Sequence, residues 1–344
     1  MRAAVYQGAQ RFEIQDIDRP SPRPHQVLVR VAQSAICGTD VHAFMYDLAP
    51  PGHVLGHEIA GRIAELGADV EGWAVGDRVV AGGGDPPPDA NRGAFYTDPR
   101  FNYRTMGFAG SRTGGYAEYT LAEAWGLQAI PDAVPDAVAA LTEPCSVAVR
   151  AVRRSAVKLG DTVGIIGAGP IGLLCMQAAR AAGATRLLVS EPAPARAQLA
   201  RDLGAAAVVN PREEDVVERF LELTGGLGPD VIFDCAGIGN TLDQALVAVR
   251  RRGQVVLVAV PWEPMPLQPA DWMAREVDLR VTFGGDPSDW RAALDLLASG
   301  RISGEALISD ASFIRLDDIQ ATFEALMQPS SQVQVVVDLG AEAG

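Results

Sequence analysis

The hydrophobic rhythm of the chain changes once, near residue 147. Up to about 145, apolar residues come in short alternating runs such as 27–31 and 59–63, cut by Gly and Pro. That period-2 pattern predicts a compact antiparallel β domain with its chemistry on the loops. Beyond 147 the runs become continuous, at 162–167, 185–190, 206–209, 230–235, 254–260 and 279–283, and alternate with helix-like segments such as 172–182 and 241–251. Six strands with helices between them predict an α/β region built on a doubly wound parallel sheet. After residue 286 only a helix at 290–298 and a strand at 332–339 are expected, too little for a third core. The tail is therefore expected to complete the first domain, which gives one domain of 1–146 and 286–344 and a second of 147–285. A length of 344 residues favours two cores on its own account.

One stretch, 81–115, follows neither period. It runs through Gly82-Gly83-Gly84 and Pro86-Pro87-Pro88 into Phe95, Tyr96, Phe101, Tyr103 and Phe108. A loop of that length commonly serves a ligand or a partner.

Composition narrows the function. With 48% hydrophobic and 21% charged residues the chain reads as a globular protein, and a net charge of -14 opposes binding to nucleic acid or an anionic membrane. The start has no apolar signal core, and no apolar run approaches the about 20 residues that span a bilayer, so a cytoplasmic protein without membrane contact is expected. Cys37, Cys145, Cys175 and Cys235 are far apart and form no CxxC pair, which argues against a disulfide framework and against a cysteine-only zinc site. All four histidines, His25, His42, His53 and His57, fall in the first 57 residues, where one metal site is expected.

The segment Gly167-Ala168-Gly169-Pro170-Ile171-Gly172 follows an expected strand at 162–166 and opens an expected helix. In that context Gly167 allows the tight turn, Gly169 lets a pyrophosphate approach the backbone, and Gly172 lets helix and strand pack closely. Pro170 suits the first helical turn, where its missing N–H has no intrahelical partner to lose. Nineteen residues beyond Gly172 stands Glu191, a carboxylate placed to accept the adenosine ribose hydroxyls and to repel a 2'-phosphate. NAD is expected ahead of NADP, although the guanidinium of Arg196 could tolerate that phosphate.

Cys37-Gly38-Thr39-Asp40-Val41-His42 and Gly56-His57-Glu58 put a thiol, two imidazoles and two carboxylates within reach of one divalent metal. Cys37 and His57 are two natural ligands. The third is open between Glu58 and Glu143, with Cys145 as a competitor, if the site is to keep a free position for catalysis.

These segments, with Gly76-Asp77-Arg78-Val79, Gly114-Gly115-Tyr116-Ala117-Glu118-Tyr119 and Glu143-Pro144-Cys145-Ser146-Val147, occur in the order seen in zinc-dependent medium-chain dehydrogenases. The match spans nearly the whole chain and looks most like the sorbitol (polyol), threonine and 2,3-butanediol dehydrogenase branch, which carries Glu-Pro where liver-type enzymes carry Cys. The resemblance implies a GroES-like catalytic domain before the Rossmann sheet, and a catalytic zinc held by Cys37, His57 and Glu143, with Glu58 as a direct ligand or exchanging with water. It implies that Asp40 orients the histidine, that Thr39 and His42 relay the alcohol proton, and that Val258, Ala259, Val260, Phe283 and Gly284 flank the nicotinamide. Relatives commonly hold a structural zinc on four cysteines. Residues 79–144 contain no cysteine, so one zinc per chain is expected, with the aromatic loop in place of that lobe.

The function implied is hydride transfer between a small secondary alcohol (a polyol, vicinal diol, amino alcohol or cyclic alcohol) and NAD, giving the ketone, in a homo-oligomer (dimer or tetramer). The alternatives are a zinc-free quinone or enoyl reductase of the same fold using NADPH, and a non-enzymatic dinucleotide-binding protein. Phe44, Tyr46, Phe108 and Trp262 either line a substrate site or are ordinary core and surface aromatics.

Overall fold

The computed structural model describes residues 1–82, 114–328 and 332–340. Phe95, Tyr96, Phe101, Tyr103 and Phe108, with most of the glycine- and proline-rich loop, lie outside the described residues. The chain forms two compact units, Met1–Glu143 with Ile308–Ser330 and Gln334–Gly344, and Pro144–Leu307 with Ser331–Val333. The crossings thus fall at 143/144, 307/308, 330/331 and 333/334, where 146/147 and 285/286 are expected from the sequence. The later return has a physical cause. Helix Pro287–Ala298 buries Trp290, Ala293, Leu294 and Leu297, and its buried Asp289 takes Arg150 and Arg153 of helix Thr142–Arg154 as ion partners at 3.4 and 2.7 Å.

The second unit is built on the six-stranded parallel sheet that the apolar runs predict. Its strands stand in the order Ala207–Val209, Arg186–Ser190, Thr162–Ile166, Val231–Asp234, Gln254–Leu257 and Asp278–Val281. The strand order reverses between Thr162–Ile166 and Val231–Asp234, and ligands of such sheets bind beyond the carboxyl ends at that reversal. Inner strands are covered on both faces, which is why they read as unbroken apolar runs. The edge strand Asp278–Val281 is exposed along its whole length.

In the first unit, strand Gln26–Ala35 is the spine. It pairs antiparallel with Glu58–Leu66, Tyr119–Glu123 and Val336–Asp338. Arg2–Tyr6, Phe12–Asp16 and His53–Val54 form a second, three-stranded sheet. Between these elements the aromatic rings of Tyr6, Phe12, Phe44, Tyr116 and Phe323 interlock. Phe12 stacks on Phe44 at 5.4 Å, and Phe323 meets Phe12 at 4.9 Å and Tyr116 at 5.9 Å. Phe44 is therefore a core residue, fully buried, and lines no substrate site. Tyr46 is exposed and Trp262 is half-buried on a loop of the second unit.

Candidate metal centre and coenzyme turn

The metal-ligand candidates meet because of strand register. Ala35 pairs with Glu58, so the chain leaving one strand through Ile36 to Cys37 passes the residues that begin its partner. Ile36 is held on both sides by the returning tail. Its N–H donates to the Val335 carbonyl at 2.9 Å, and its carbonyl accepts the Gln334 amide at 3.1 Å. Cys37 then caps helix Gly38–Met45, its Sγ accepting the Thr39 N–H at 3.4 Å. That helix, inside the metal motif, had no place in the expected all-β domain. Its signals are the Cys37 cap and Asp40 in the first turn, both overshadowed by the reading of these residues as ligands. On the other side, Gly56 turns with φ +94° against the Tyr116 ring and delivers His57.

The result is a compact donor set. One ligand atom from each of Cys37, His57 and Glu58 lies within 4.8 Å of the others. Glu143, in the first turn of helix Thr142–Arg154, stands outside that set, yet its carboxylate is close enough to act on both acids. Burial pushes the Cys37 thiol up to about 11, with His57 opposing and Glu58 adding to the rise. Burial and then Glu143 push Glu58 up to about 8, and burial raises Glu143 as well. Glu58 Oε2 is buried with no hydrogen-bond partner. A buried set in which Glu143 raises both Cys37 and Glu58, with Glu58 Oε2 orphaned, is what a divalent cation would stabilise in ionised form, so the residues fit a zinc ion. Thiolate, imidazole and carboxylate are also zinc's usual donors. Cys145 is fully buried, and burial drives its thiol far upward, as for a packing residue.

Asp40 is wholly buried behind His57. Its Oδ1 lies 3.5 Å from His57 Nδ1, an ion-pair distance too long for a good hydrogen bond, and neither atom has a hydrogen-bond partner. Burial pulls the His57 pKa down, but Asp40 and then Cys37 outweigh it and hold it well above the usual imidazole value. Asp40 Oδ2 accepts the Tyr116 phenol at 2.8 Å. Thr39 and His42 share one face of helix Gly38–Met45 at i, i+3 spacing. His42 Nδ1 lies 2.7 Å from the Gly38 carbonyl, which as an acceptor fixes the ring proton on Nδ1 and leaves the lone pair on Nε2. Burial lowers the His42 pKa, and its ring stacks on Tyr46 at 6.1 Å.

The glycine turn has the backbone geometry that the sequence reading asks of a dinucleotide turn. Gly167 has φ +90°, Gly169 is the N-cap, and Pro170 opens helix Pro170–Ala181. A Cβ on Gly172 would fall on the Gly167 carbonyl oxygen, whereas one on Gly169 would meet only Arg196 Nη1, at 3.8 Å. That opening above Gly169, at a helix N-terminus and beneath a guanidinium, fits a dinucleotide pyrophosphate. Ile171 lies in the first turn of the helix. Glu191 is buried at the end of Arg186–Ser190 and accepts the N–H groups of Ala168 at 2.7 Å and Ala193 at 2.8 Å. Arg196 donates Nε and Nη2 to the Gln332 carbonyl at 3.2 and 2.9 Å. Val258, Ala259 and Val260 follow strand Gln254–Leu257, with the first two N–H groups on the Asp234 carbonyl, and Phe283 and Gly284 follow Asp278–Val281. All five therefore lie beyond carboxyl ends of the parallel sheet.

Comparison with known proteins agrees with both halves. Residues 23–132 match the alcohol dehydrogenase GroES-like domain, and 170–299 match the zinc-binding dehydrogenase family. The (R,R)-butanediol dehydrogenase of Bacillus subtilis is 34% identical over 98% of this chain and 99% of its own. The chain belongs to the zinc-dependent medium-chain dehydrogenase superfamily. Within it, L-threonine 3-dehydrogenase of Pyrococcus horikoshii is 37% identical over 72% of each chain, and a B. subtilis sorbitol dehydrogenase is 31% identical over 95% of this chain and 94% of its own. The crystal structure of 2R,3R-butanediol dehydrogenase from B. subtilis superposes with a TM-score of 0.86 at 32% identity, covering 98% of this chain and 99% of that one. A Sinorhizobium meliloti structure bound to NADP superposes with a TM-score of 0.85 at 31% identity, covering 98% of each chain. This superfamily member is an oxidoreductase that uses zinc and a nicotinamide coenzyme to oxidise secondary alcohols, and nothing in these likenesses supports a zinc-free quinone or enoyl reductase. Among the described residues, no helix is long and apolar enough to cross a membrane.

Sequence reasoning missed Tyr116, which it treated only as part of a motif. The signal was a lone tyrosine hydroxyl directly after two glycines that bring backbone close to backbone.

Proposed function

We propose that this chain is an NAD-linked dehydrogenase of a small polyol, vicinal diol or amino alcohol, with one zinc per chain held by Cys37, His57 and Glu58 and with Glu143 as the exchanging fourth ligand. The convergence of three zinc-type donors within 4.8 Å, backed by an orphaned carboxylate oxygen, carries this reading. The substrate class rests on the relatives named above.

Bound in this set, zinc would supply Lewis acidity toward an alcohol oxygen, and a nicotinamide would supply the hydride acceptor. The chain's own residues handle the proton. His42 stays neutral to lower pH than an ordinary imidazole because burial disfavours its charged form, which suits it to act as a base. Thr39, one turn earlier on the same face, offers a hydroxyl that can accept and donate in the same relay. Asp40 holds His57 from behind and touches no substrate.

NAD preference is supported by Glu191. Its carboxylate is fixed by two backbone amides, so it cannot swing aside for a 2'-phosphate, while two arms of Arg196 are occupied by the Gln332 carbonyl. A homo-oligomer is supported by the edge strand Asp278–Val281, where Leu279, Val281 and nearby Phe283 are 37, 60 and 51% exposed.

The test is NAD- and NADP-linked activity against a panel of polyols, diols, amino alcohols and cyclic alcohols, with zinc stoichiometry and sedimentation measured on the same preparation. Turnover of at least one class with one zinc per chain is expected. Zinc near zero, or zinc retained without turnover on the whole panel, overturns the proposal.

A further inference from the structure

Tyr116 reaches the metal centre from two directions. Its phenol donates to Asp40 Oδ2 at 2.8 Å, in a fully buried bond between residues 76 positions apart. Its ring lies against Gly56, the residue before His57, so closely that a Cβ there would come within 2.8 Å of two ring carbons. The backbone completes the clamp, because Tyr116 N–H donates to the Leu55 carbonyl at 3.0 Å and Gly115 N–H to the Gly56 carbonyl at 2.8 Å. Asp40 has two oxygens and two tasks. With Oδ2 held by the phenol, Oδ1 is left 3.5 Å from His57 Nδ1, and both of those atoms are otherwise without a hydrogen-bond partner. Attraction to His57 favours that placement, and the phenol adds a second, fixed anchor that limits rotation of the buried carboxylate.

We propose that Tyr116 is a positioning residue for the metal centre, anchoring Asp40 so that its second oxygen orients the His57 ring with Nε2 free to bind the ion. This rests on the zinc reading above. Groups that orient a metal-bound histidine change metal affinity by about 10- to 100-fold when removed, and Tyr116 acts one bond further out.

The test uses the full-length protein and compares wild type with Tyr116→Phe, which keeps the ring against Gly56 and removes only the hydroxyl. Zinc affinity is read by competition with a chromophoric chelator, and ligand geometry by the visible bands of the cobalt(II)-substituted protein. An affinity loss of about fivefold to tenfold with shifted cobalt bands is expected. Asp40→Asn is expected to lose at least as much, and Tyr116→Phe added to Asp40→Asn is expected to lose nothing further. Unchanged affinity and bands in Tyr116→Phe overturn the inference, as does an equal loss in the Asp40→Asn background. Should Tyr116→Phe not fold, Asp40→Asn alone decides, since unchanged zinc affinity there removes the route by which Tyr116 acts. Absence of zinc from the wild type is a different failure, because it overturns the metal reading itself and takes this inference with it.

Discussion

The Glu191 carboxylate accepts the N–H of Ala168 at 2.7 Å, tying the end of one strand to the phosphate turn that follows its neighbour. One side chain thus shapes the turn and, in the proposed reading, sets the charge that a ribose would meet. Glu191→Ala is expected to shift the ratio of kcat/KM for NAD over NADP toward NADP. It should also cost about 1–3 kcal/mol of stability, because buried N–H groups lose their acceptor. Steady-state kinetics with both coenzymes and a urea titration check the two effects, and an unchanged coenzyme ratio removes Glu191 from coenzyme choice.

Cys37→Ser replaces a soft thiolate donor with a hydroxyl in a set of three. The variant is expected to lose zinc and turnover while still binding NAD, because the coenzyme turn belongs to the other compact unit. Metal analysis and NADH fluorescence titration distinguish the two; a variant that turns over at the wild-type rate sinks the ligand assignment.

Gly172 has no space for even one more carbon, since its Cβ would fall on the Gly167 carbonyl. Gly172→Ala must push the helix start off the strand, at about 1–3 kcal/mol for overpacking. The expected readout is a coenzyme KM raised about tenfold or more, with zinc content unchanged.

Tyr6 gives an alkaline signature. Burial, reinforced by the hydrogen bond to Asp47, raises its pKa from 10.0 to about 12. Across that interval the native state holds a proton the unfolded chain has released. The contribution to stability is therefore whole below pH 10 and is lost as pH rises through about 12. Tyr6→Phe should show a shallower decline in unfolding midpoint over the same interval, and identical slopes would contradict the assignment.

Much of this was legible in the sequence because each feature depends on local chemistry. The six parallel strands announced themselves as apolar runs because a doubly covered strand has no polar face, and Gly167, Gly169, Pro170 and Gly172 could be assigned tasks from the turn alone. The meeting of Cys37 and His57 was suggested by two short motifs, with the third ligand open between Glu58 and Glu143, but the convergence with Glu58 is produced by the Ala35–Glu58 register, a long-range fact that no local period encodes. Helix Gly38–Met45 was lost for a related reason, because its cap is a cysteine and residues read as ligands were not read as structure. The return of the tail at 308 and not 286 depends on Asp289 finding Arg150 and Arg153, which is again pairing across distance.

The bonds from Gln334 and Val335 to Ile36 give the metal loop a dependence on time as well as place. During synthesis, Cys37 leaves the ribosome about 300 residues before the segment that braces it. The nascent chain therefore lacks this brace on Ile36, the residue before Cys37, until the 334–335 segment emerges.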